Sequence, residues 1–325
     1  MTLPAGWSAR RPTLDDVPAI LKVVHAADTF AIGYPDFSAE DVAECLTAPH
    51  VEPAADSWLG LDPDGTVVAW AIIDNPTGVG REFVEVYVDP DHGRPLRAPL
   101  LARQLTRVAE RAAARGLPAL TVRCAVYEPE KEWEQTLLDA GFTLAKRYVR
   151  MSRPLAGLPT APPAPPAGVT VRPVRPDDDA ELRTFHRIYD TAFRDTLDYE
   201  PQDHDRWRAR IGDGTAWDEW FVAEVDGEPA GVLQSSDQGL DQNEGFVKNL
   251  AVLPGQRRRG VAAALLQHAF ARYAAKGRSA AGLGVDLANP TAPVSLYRSV
   301  GLRDARIIDM YQLTVPATAC PVRPR

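Results

Sequence analysis

Residues 250–262 read LAVLPGQRRRGVA, a strand that runs through a basic turn into a helix. The apolar strand ends at Leu253, and an apolar helical pattern begins at Val261. Backbone N–H groups at the start of a helix converge and carry partial positive charge, so they attract anions. Gly260 has no Cβ to obstruct a ligand, and Ala262 is the next smallest residue. The segment therefore predicts a phosphate-binding turn, although an ordinary surface turn accounts for the same residues.

The segments around this turn alternate between strand and helix patterns. Residues 220–236 predict a hairpin, because two apolar runs flank Asp226-Gly227. A helix is expected from about Asp179 to Arg194, opened by Pro176 and acidic residues. Strands at 169–174, 244–253, 280–288 and 305–315 and a helix at 261–277 complete the pattern. This order predicts an α/β fold with a mixed, largely antiparallel sheet flanked by helices.

The chain repeats itself about a proline-rich segment. PAGWSAR at 4–10 returns as PAGVTVR at 166–172, and Ala140-Gly141-Phe142 returns as Val300-Gly301-Leu302. Matches at nearly one offset indicate a duplicated domain. We predict two tandem domains, at 1–153 and 169–325, joined by a Pro/Ala-rich linker at 154–168.

Composition limits the class of protein. The 325 residues fit two domains of ordinary size, and 45% of them are hydrophobic. No apolar run approaches the roughly 18 residues of a membrane helix, and residues 1–16 lack the apolar stretch of a signal peptide, so we expect a cytoplasmic protein with no membrane partner. A net charge of −8 argues against nucleic-acid binding. Cys45, Cys124 and Cys320 lie far apart and predict neither disulfides nor a metal site.

With its flanking segments, the turn resembles a known family. Arg257 to Ala262 match Gln/Arg-x-x-Gly-x-Gly/Ala, motif A of the GCN5-related N-acetyltransferases (GNAT). Asn289, followed by Leu296-Tyr297 and Gly301, is similar to a second signature of that family. The resemblance covers 169–315 and implies tandem GNAT-fold domains. It also implies acetyl-CoA as co-substrate, no metal, and direct acetyl transfer to a primary amine of a small molecule. Length and tandem arrangement resemble the mycothiol synthase branch.

The resemblance also assigns roles to single residues. Tyr297 occupies the position of the acid that assists the departing thiolate, and Tyr311 is an alternative hydroxyl. Glu244 is the candidate general base, although the family's glutamate position falls on Phe246 and an ordinary carboxylate at the strand end is the alternative reading. The other candidate bases are Asp198, Glu200 and His204. Strand alternation from Glu244 places Phe246, Lys248, Leu250 and Val252 on one face. The expected CoA-binding residues are Leu250, Ala251, Val252, Arg257, Arg258, Arg259, Gly260, Val261, Ala262 and Asn289.

The loop at 195–205 combines acidic and aromatic residues, and the family shapes its acceptor site with this loop. Such a loop would attract a cationic amine or an amino sugar, while a solvated loop with no ligand is the alternative. The candidate substrate-binding residues are Asp198, Tyr199, Glu200 and His204.

The amino half follows the same plan with altered site positions. Leu96 stands where the first motif glycine belongs, Pro95 removes a backbone donor, and Leu137 replaces Tyr297. We predict a non-catalytic copy, with CoA binding through a variant turn as the alternative. The two copies are expected to pair within a monomer, and a homodimer stays open. The other functions to consider are a CoA-binding pseudo-enzyme and a protein N-terminal acetyltransferase.

Overall fold

A computed structural model of the chain describes residues 2–48, 51–75, 81–194, 196, 199, 201–212, 214–287 and 294–318. The chain forms two compact units: unit 1 comprises 1–147 and 308–325, and unit 2 comprises 148–307. Among the described residues, no helix is both long enough and apolar enough to cross a bilayer.

Unit 1 contains a mixed sheet with helices. Its strands lie in the order β1-β2-β3-β4-β5, and residues 308–316 of the last strand of the chain, β12 (Arg303–Pro316), pair with β5. Neighbouring strands are antiparallel except β4 and β5, which are parallel. The elements are β1 (Ser8–Arg10), α1 (Val17–Ile32), α2 (Ala39–Thr47), α3 (Pro53–Asp56), β2 (Ser57–Leu61), β3 (Val67–Asp74), β4 (Arg81–Val88), α4 (Arg97–Ala114), β5 (Ala119–Tyr127), α5 (Lys131–Asp139) and the start of β6 (Thr143–Pro154).

Unit 2 repeats this topology. Its strands lie in the order β7-β8-β9-β10-β11, and residues 148–154 of β6 pair with β11. Here β10 and β11 are the parallel pair. The elements are β7 (Val169–Pro173), α6 (Asp179–Phe193), α7 (His204–Ala209), β8 (Phe221–Val225), β9 (Glu228–Ser236), β10 (Glu244–Val252), α8 (Val261–Ala275), β11 (Ala280–Asp286), α9 (Val294–Ser299) and the start of β12 (Arg303–Pro316). The predicted mixed, largely antiparallel α/β fold is confirmed.

Local signals set the ends of these elements. The N-cap carboxylate of Asp178 accepts a hydrogen bond from the N–H of Glu181 at 3.1 Å, which starts α6. The β8–β9 hairpin turns at Asp226 (φ 54°) and Gly227 (φ 86°), as the Asp-Gly pair predicts. These short-range rules account for the good agreement between predicted and observed elements in unit 2.

The last strand of each sequence half completes the sheet of the other half. Met151, on β6, is fully buried in the core of unit 2, together with Val247 and Leu283. Tyr311, on β12, is buried in the core of unit 1, and its hydroxyl donates to Glu134 Oε1 at 2.6 Å. Tyr311, the alternative to Tyr297 as the acid, thus has its hydroxyl bonded within unit 1. The domain boundaries at 153 and 169 stay a sequence prediction. The compact units have other bounds, because each unit includes the last strand of the other sequence half.

Both faces of the unit 2 sheet are covered. Helix α8 packs Val261, Leu265 and Phe270 onto one face, whereas α6 packs Phe185 and Ile188 onto the other. The linker prediction falls at 154–168, which belongs to unit 2, and Leu155 there is only 3% exposed. Burial of this apolar surface supplies the main stabilisation of the unit.

Strand exchange predicts that a core cavity destabilises the unit in which the side chain lies. Tyr311→Ala should reduce the hydrogen-exchange protection of β4 and β5, and Met151→Ala that of β10 and β11, because each removes about 2–5 kcal/mol of packing from one core. Hydrogen exchange of both variants, measured by mass spectrometry on matched samples, tests both expectations. If Tyr311→Ala mainly reduces the hydrogen-exchange protection of β10 and β11, the swap of last strands between the units is contradicted.

Candidate active site

The parallel strands of unit 2 separate at their carboxyl ends. Their pairing runs from Glu244 opposite Ala280 to Val247 opposite Leu283 and then stops, although β10 continues to Val252. Beyond this point β10 stays hydrogen-bonded to β9 along its other edge. We call the gap between the ends of β10 and β11 the opening. The predicted residues Leu250, Ala251 and Val252 all lie along it.

A β-bulge interrupts β10 where the opening begins. The register with β9 shifts between Val247 and Asn249, so Lys248 is an extra residue with an exposed side chain. A bulge reverses the alternation of side chains beyond it. The expectation that Glu244, Phe246, Lys248, Leu250 and Val252 share one face is therefore wrong.

The basic turn ends in a helix start with free donors. Gly260 is the N-cap of α8 at φ 80°, and Arg258 also has a positive φ of 61°. The first-turn N–H groups of α8, at 261–263, have no acceptor within the described part of the chain. These amides and the dipole of a 15-residue helix can bind a phosphate group.

The three arginines of the turn have different surroundings. Arg259 pairs with Asp226 at 2.8 Å, and Arg257 Nε lies 3.4 Å from the carbonyl oxygen of Val252. Arg258 is exposed, with no hydrogen bond or ion pair to any described residue. Among the predicted phosphate ligands, Arg258 is thus the cation that can turn to a ligand without breaking another contact.

The glycine at 260 meets two demands at once. Besides its positive φ, it faces the linker, since a Cβ there would lie 2.7 Å from Pro166 Cγ. The turn is therefore built against the proline-rich segment, a feature that motif matching did not indicate.

Tyr297 lies on α9, in the core cluster that also contains Val247, Val261 and Val285. Burial raises the pKa of Tyr297 to about 12. Its hydroxyl makes no hydrogen bond to any described residue. The phenol stays protonated at neutral pH and is free to donate a hydrogen bond. Asn289, the other residue of this signature, lies outside the described residues.

Glu244 lies at the start of β10, where the strands are still paired. Its carboxylate accepts hydrogen bonds from Arg150 Nη2 and, at 2.7 Å, from Ser152 Oγ, both on β6. The opening begins about three residues, or roughly 10 Å, further along the strand. The role of general base stays a prediction, and these contacts favour a structural role for Glu244.

The predicted acceptor residues fall into separate clusters. Tyr199 donates to Asp190 Oδ1 at 3.1 Å, which together with burial raises the pKa of its phenol. His204 packs against His186 and Trp207, with ring centroids 5.7 and 5.6 Å away. Burial, reinforced by His204, lowers the pKa of His186. Asp198 and Glu200 lie outside the described residues.

A cavity of about 220 Å³ lies beside the bulge. Lys248 lines it, as does Ser236, whose buried Oγ has no hydrogen-bond partner among the described residues. Gln234 accepts from Asn249 Nδ2 at 2.7 Å at the same level of the sheet. Sequence reasoning missed this cavity, because a bulge has no signature in the residues VKNL. The remaining lining residues are Arg210, Ile211, Gly212, Gly214, Thr215, Ala216, Glu219, Trp220, Ser235 and Asp237.

Unit 1 has the corresponding opening, with ion pairs at its mouth. Pairing of β4 with β5 stops at Phe83 opposite Arg123. Arg97, the first residue of α4, pairs with Glu130 at 2.8 Å, and the two side chains are only 10% and 11% exposed. A second pair, Arg94–Glu132, lies beside it at 2.8 Å. The cavity that these four residues line is about 90 Å³.

Leu96 and Leu137 contribute to the core of unit 1, and both are fully buried. The Leu96 methyl group lies against Gly60, where a Cβ would collide with it. At the position of the first motif glycine, unit 1 therefore has a leucine side chain that fills the core.

Comparisons with known proteins agree with this geometry. Residues 182–302 match the model of the acetyltransferase (GNAT) family. The chain is 30% identical over 265 residues to a Streptomyces avermitilis protein named mycothiol acetyltransferase. The matched region covers 78% of this chain and 79% of the relative.

Solved structures show the same fold. A GCN5-related N-acetyltransferase from Sphaerobacter thermophilus superposes with a TM-score of 0.80 over 98% of both chains, at 24% identity. A tandem GNAT protein from the clavulanic acid biosynthesis pathway gives 0.68 over 96% of this chain and 100% of its own, at 15% identity.

Gly260→Ala should weaken CoA binding at least tenfold and lower the stability of unit 2. Alanine at φ 80° costs about 1–2 kcal/mol, and its Cβ would push Pro166 away. Gly255→Ala is the matched control, because a Cβ there meets no atom within 4 Å. Calorimetry measures the dissociation constant, and urea unfolding measures the stability. If both variants bind CoA equally, the turn is not the phosphate site.

Proposed function

The chain belongs to the GNAT acetyltransferase family, and from this premise we propose that unit 2 transfers an acetyl group from acetyl-CoA to a primary amine of a small molecule. The observation that carries the proposal is one arrangement within residues 182–302. There the opening of two parallel strands lies next to a helix start with free donors.

The proposed reaction makes one bond and breaks one. The amine nitrogen bonds to the acetyl carbon, the carbon–sulfur bond breaks, the nitrogen loses one proton and the sulfur gains one. Acetyl-CoA, when bound, supplies an activated acyl group as a thioester. The chain would hold its phosphates on the amides at 261–263 and on Arg258. The free backbone edge of β10 would hold its amide-containing arm along Leu250 and Val252.

Tyr297 is proposed to stabilise the departing sulfur by a hydrogen bond. A phenol with a pKa of about 12 gives up its proton less readily than a thiol, whose pKa is about 8.5. Full proton transfer from Tyr297 to the thiolate is therefore uphill, whereas donation of a hydrogen bond is favourable. The proton that completes the thiol would then come from solvent.

The acceptor amine must lose its proton, and Glu244 is poorly placed to receive it. Arg150 and Ser152 occupy its two oxygens in the paired part of the sheet. We propose that Glu244, on β10, reaches across β11 to fix Arg150 and Ser152 of β6, and that water entering the cavity beside Lys248 takes the proton.

Unit 1 is proposed to be a non-catalytic copy. The Arg97–Glu130 pair joins the first residue of α4 to the N-cap of α5, whereas α8 begins with Val261. Breaking a buried ion pair to admit another ligand is costly, since it leaves buried charges unpaired. The tandem domains at 1–153 and 169–325 then have different roles, the second being catalytic.

The size of the cavity favours a small acceptor over a protein amino terminus. Its volume of about 220 Å³ lies below the roughly 300–1,000 Å³ of sites for drug-sized ligands. The name of the Streptomyces avermitilis relative adds a mycothiol precursor to the acceptors worth testing.

The proposed function is tested by incubating the purified chain with acetyl-CoA and a panel of small amines. Thiol release and N-acetylated product should appear in equal amounts for at least one amine. Binding of CoA with no product from any amine would indicate a pseudo-enzyme. Activity confined to peptides would indicate a protein N-terminal acetyltransferase.

Tyr297→Phe should lower kcat roughly 10- to 100-fold and leave the KM for acetyl-CoA nearly unchanged. A hydrogen bond to a charged group contributes about 1.5–3 kcal/mol, and this one acts mainly in the transition state. Tyr311→Phe is the control, because it removes an engaged hydroxyl from unit 1. It should lower stability and keep kcat. A Tyr297→Phe enzyme with wild-type kcat on a slowly reacting amine would limit Tyr297 to packing.

A further inference from the structure

The cavity beside the bulge carries positive charge at the level of the opening. Lys248 and Arg210 line it, and Lys248 makes no ion pair with any described residue. Arg210 is exposed, and its one hydrogen bond to a described residue, to Gln202 at 3.4 Å, is long. Two cations are thus available to a ligand in this cavity.

One of the two described acidic side chains at the cavity is already paired with another cation. Glu219 is 5% exposed and already paired with Lys276 at 2.7 Å. Asp237 lies at the rim and is exposed. Asp213 lies outside the described residues. The described lining thus contains two cations and two carboxylates, and because Glu219 is paired with Lys276 outside the lining, Asp237 is the one described carboxylate left to face Lys248 and Arg210. This lining does not favour the cationic acceptor expected from the acidic loop at 195–205.

Ser236 adds an unsatisfied donor. Its Oγ is buried and bonds to no residue in the described part of the chain, although buried hydroxyl groups are nearly always paired. Thr215 and Gln234 line the same space. A hydroxyl donor and an ammonium group that line one cavity suit a carboxylate, which accepts hydrogen bonds only and favours charged donors.

The bulge gives Lys248 its position. Without the extra residue, β10 would keep its register with β9. The matching pair in unit 1 shows this, because β3 and β4 pair without a shift from Asp74 opposite Phe83 to Ala69 opposite Val88. Bulges re-aim side chains next to active sites. This device is present in unit 2 and absent from the described pairing of β3 with β4.

We propose that the acceptor of unit 2 is an amine that also carries a carboxylate, which binds to Lys248 and Ser236 with Arg210 at the rim. The inference rests on the proposed function, because it names the class of acceptor for that reaction. The carboxylate anchors one end of the molecule in the cavity, and the amine then points toward the opening. The ammonium group of Lys248, on β10, thus selects acceptors that carry a carboxylate.

The test uses the full chain saturated with CoA, so that the phosphate turn is occupied and cannot bind the probes. The probes are N-acetyl-glycine, N-acetyl-leucine and N-acetyl-aspartate, each compared with its α-carboxamide. Calorimetry should give at least tenfold tighter binding for the acid in one or more pairs. Lys248→Gln should reduce this ratio to below threefold, and Lys248→Arg should retain it. Lys22→Gln, an exposed lysine on α1, should leave it unchanged.

Three results would overturn the inference. They are equal binding of acid and carboxamide, binding of neither, and a preference that survives in Lys248→Gln. Acetyl-CoA turnover on the same preparations separates this failure from that of the proposed function. Turnover confined to amines without a carboxylate supports acetyl transfer and overturns the acceptor class. Selective binding of the acids with no turnover of any amine supports the anion site and contradicts the transferase.

Discussion

The end of hydrogen bonding between β10 and β11 is the constraint on which unit 2 depends. Parallel strands normally satisfy each other's backbone groups, but here pairing stops at Val247 and Leu283. The freed edge of β10 can bind an extended ligand only because β9 holds the strand in place from the other side. That gap is where an extended ligand could lie. The bulge at Lys248, the turn at Gly260 and the phenol of Tyr297 matter for function only if a ligand binds there.

The exchange of last strands makes the sheet of each unit depend on a strand from the other half of the sequence. Residues 148–154 supply the neighbour of β11, and they carry the Arg150 and Ser152 that hold Glu244. The catalytic half as read from the sequence, 169–325, lacks these partners. Loss of the motif glycine at Leu96 and of a tyrosine at Leu137 is then tolerated, since unit 1 keeps its topology and its core.

Short-range signals made much of unit 2 predictable. The Asp226-Gly227 hairpin, the basic turn and the family were all read from neighbouring residues, and comparison confirmed the family. The bulge was not predictable, because it depends on a register between β9 and β10 that no local pattern encodes. The contacts of Glu244 were missed for a related reason, since its partners on β6 lie more than 90 positions away along the chain. The cavity beside Lys248 could not be predicted either, because it forms at this bulge.

A crystal structure of the full chain grown with CoA would show directly whether unit 2 holds the ligand. We expect one CoA per chain, with its phosphates on the amides at 261–263 and its extended arm between β10 and β11. The Arg97–Glu130 pair of unit 1 should remain intact in that complex. CoA bound in the opening of unit 1, with unit 2 empty, would contradict the account.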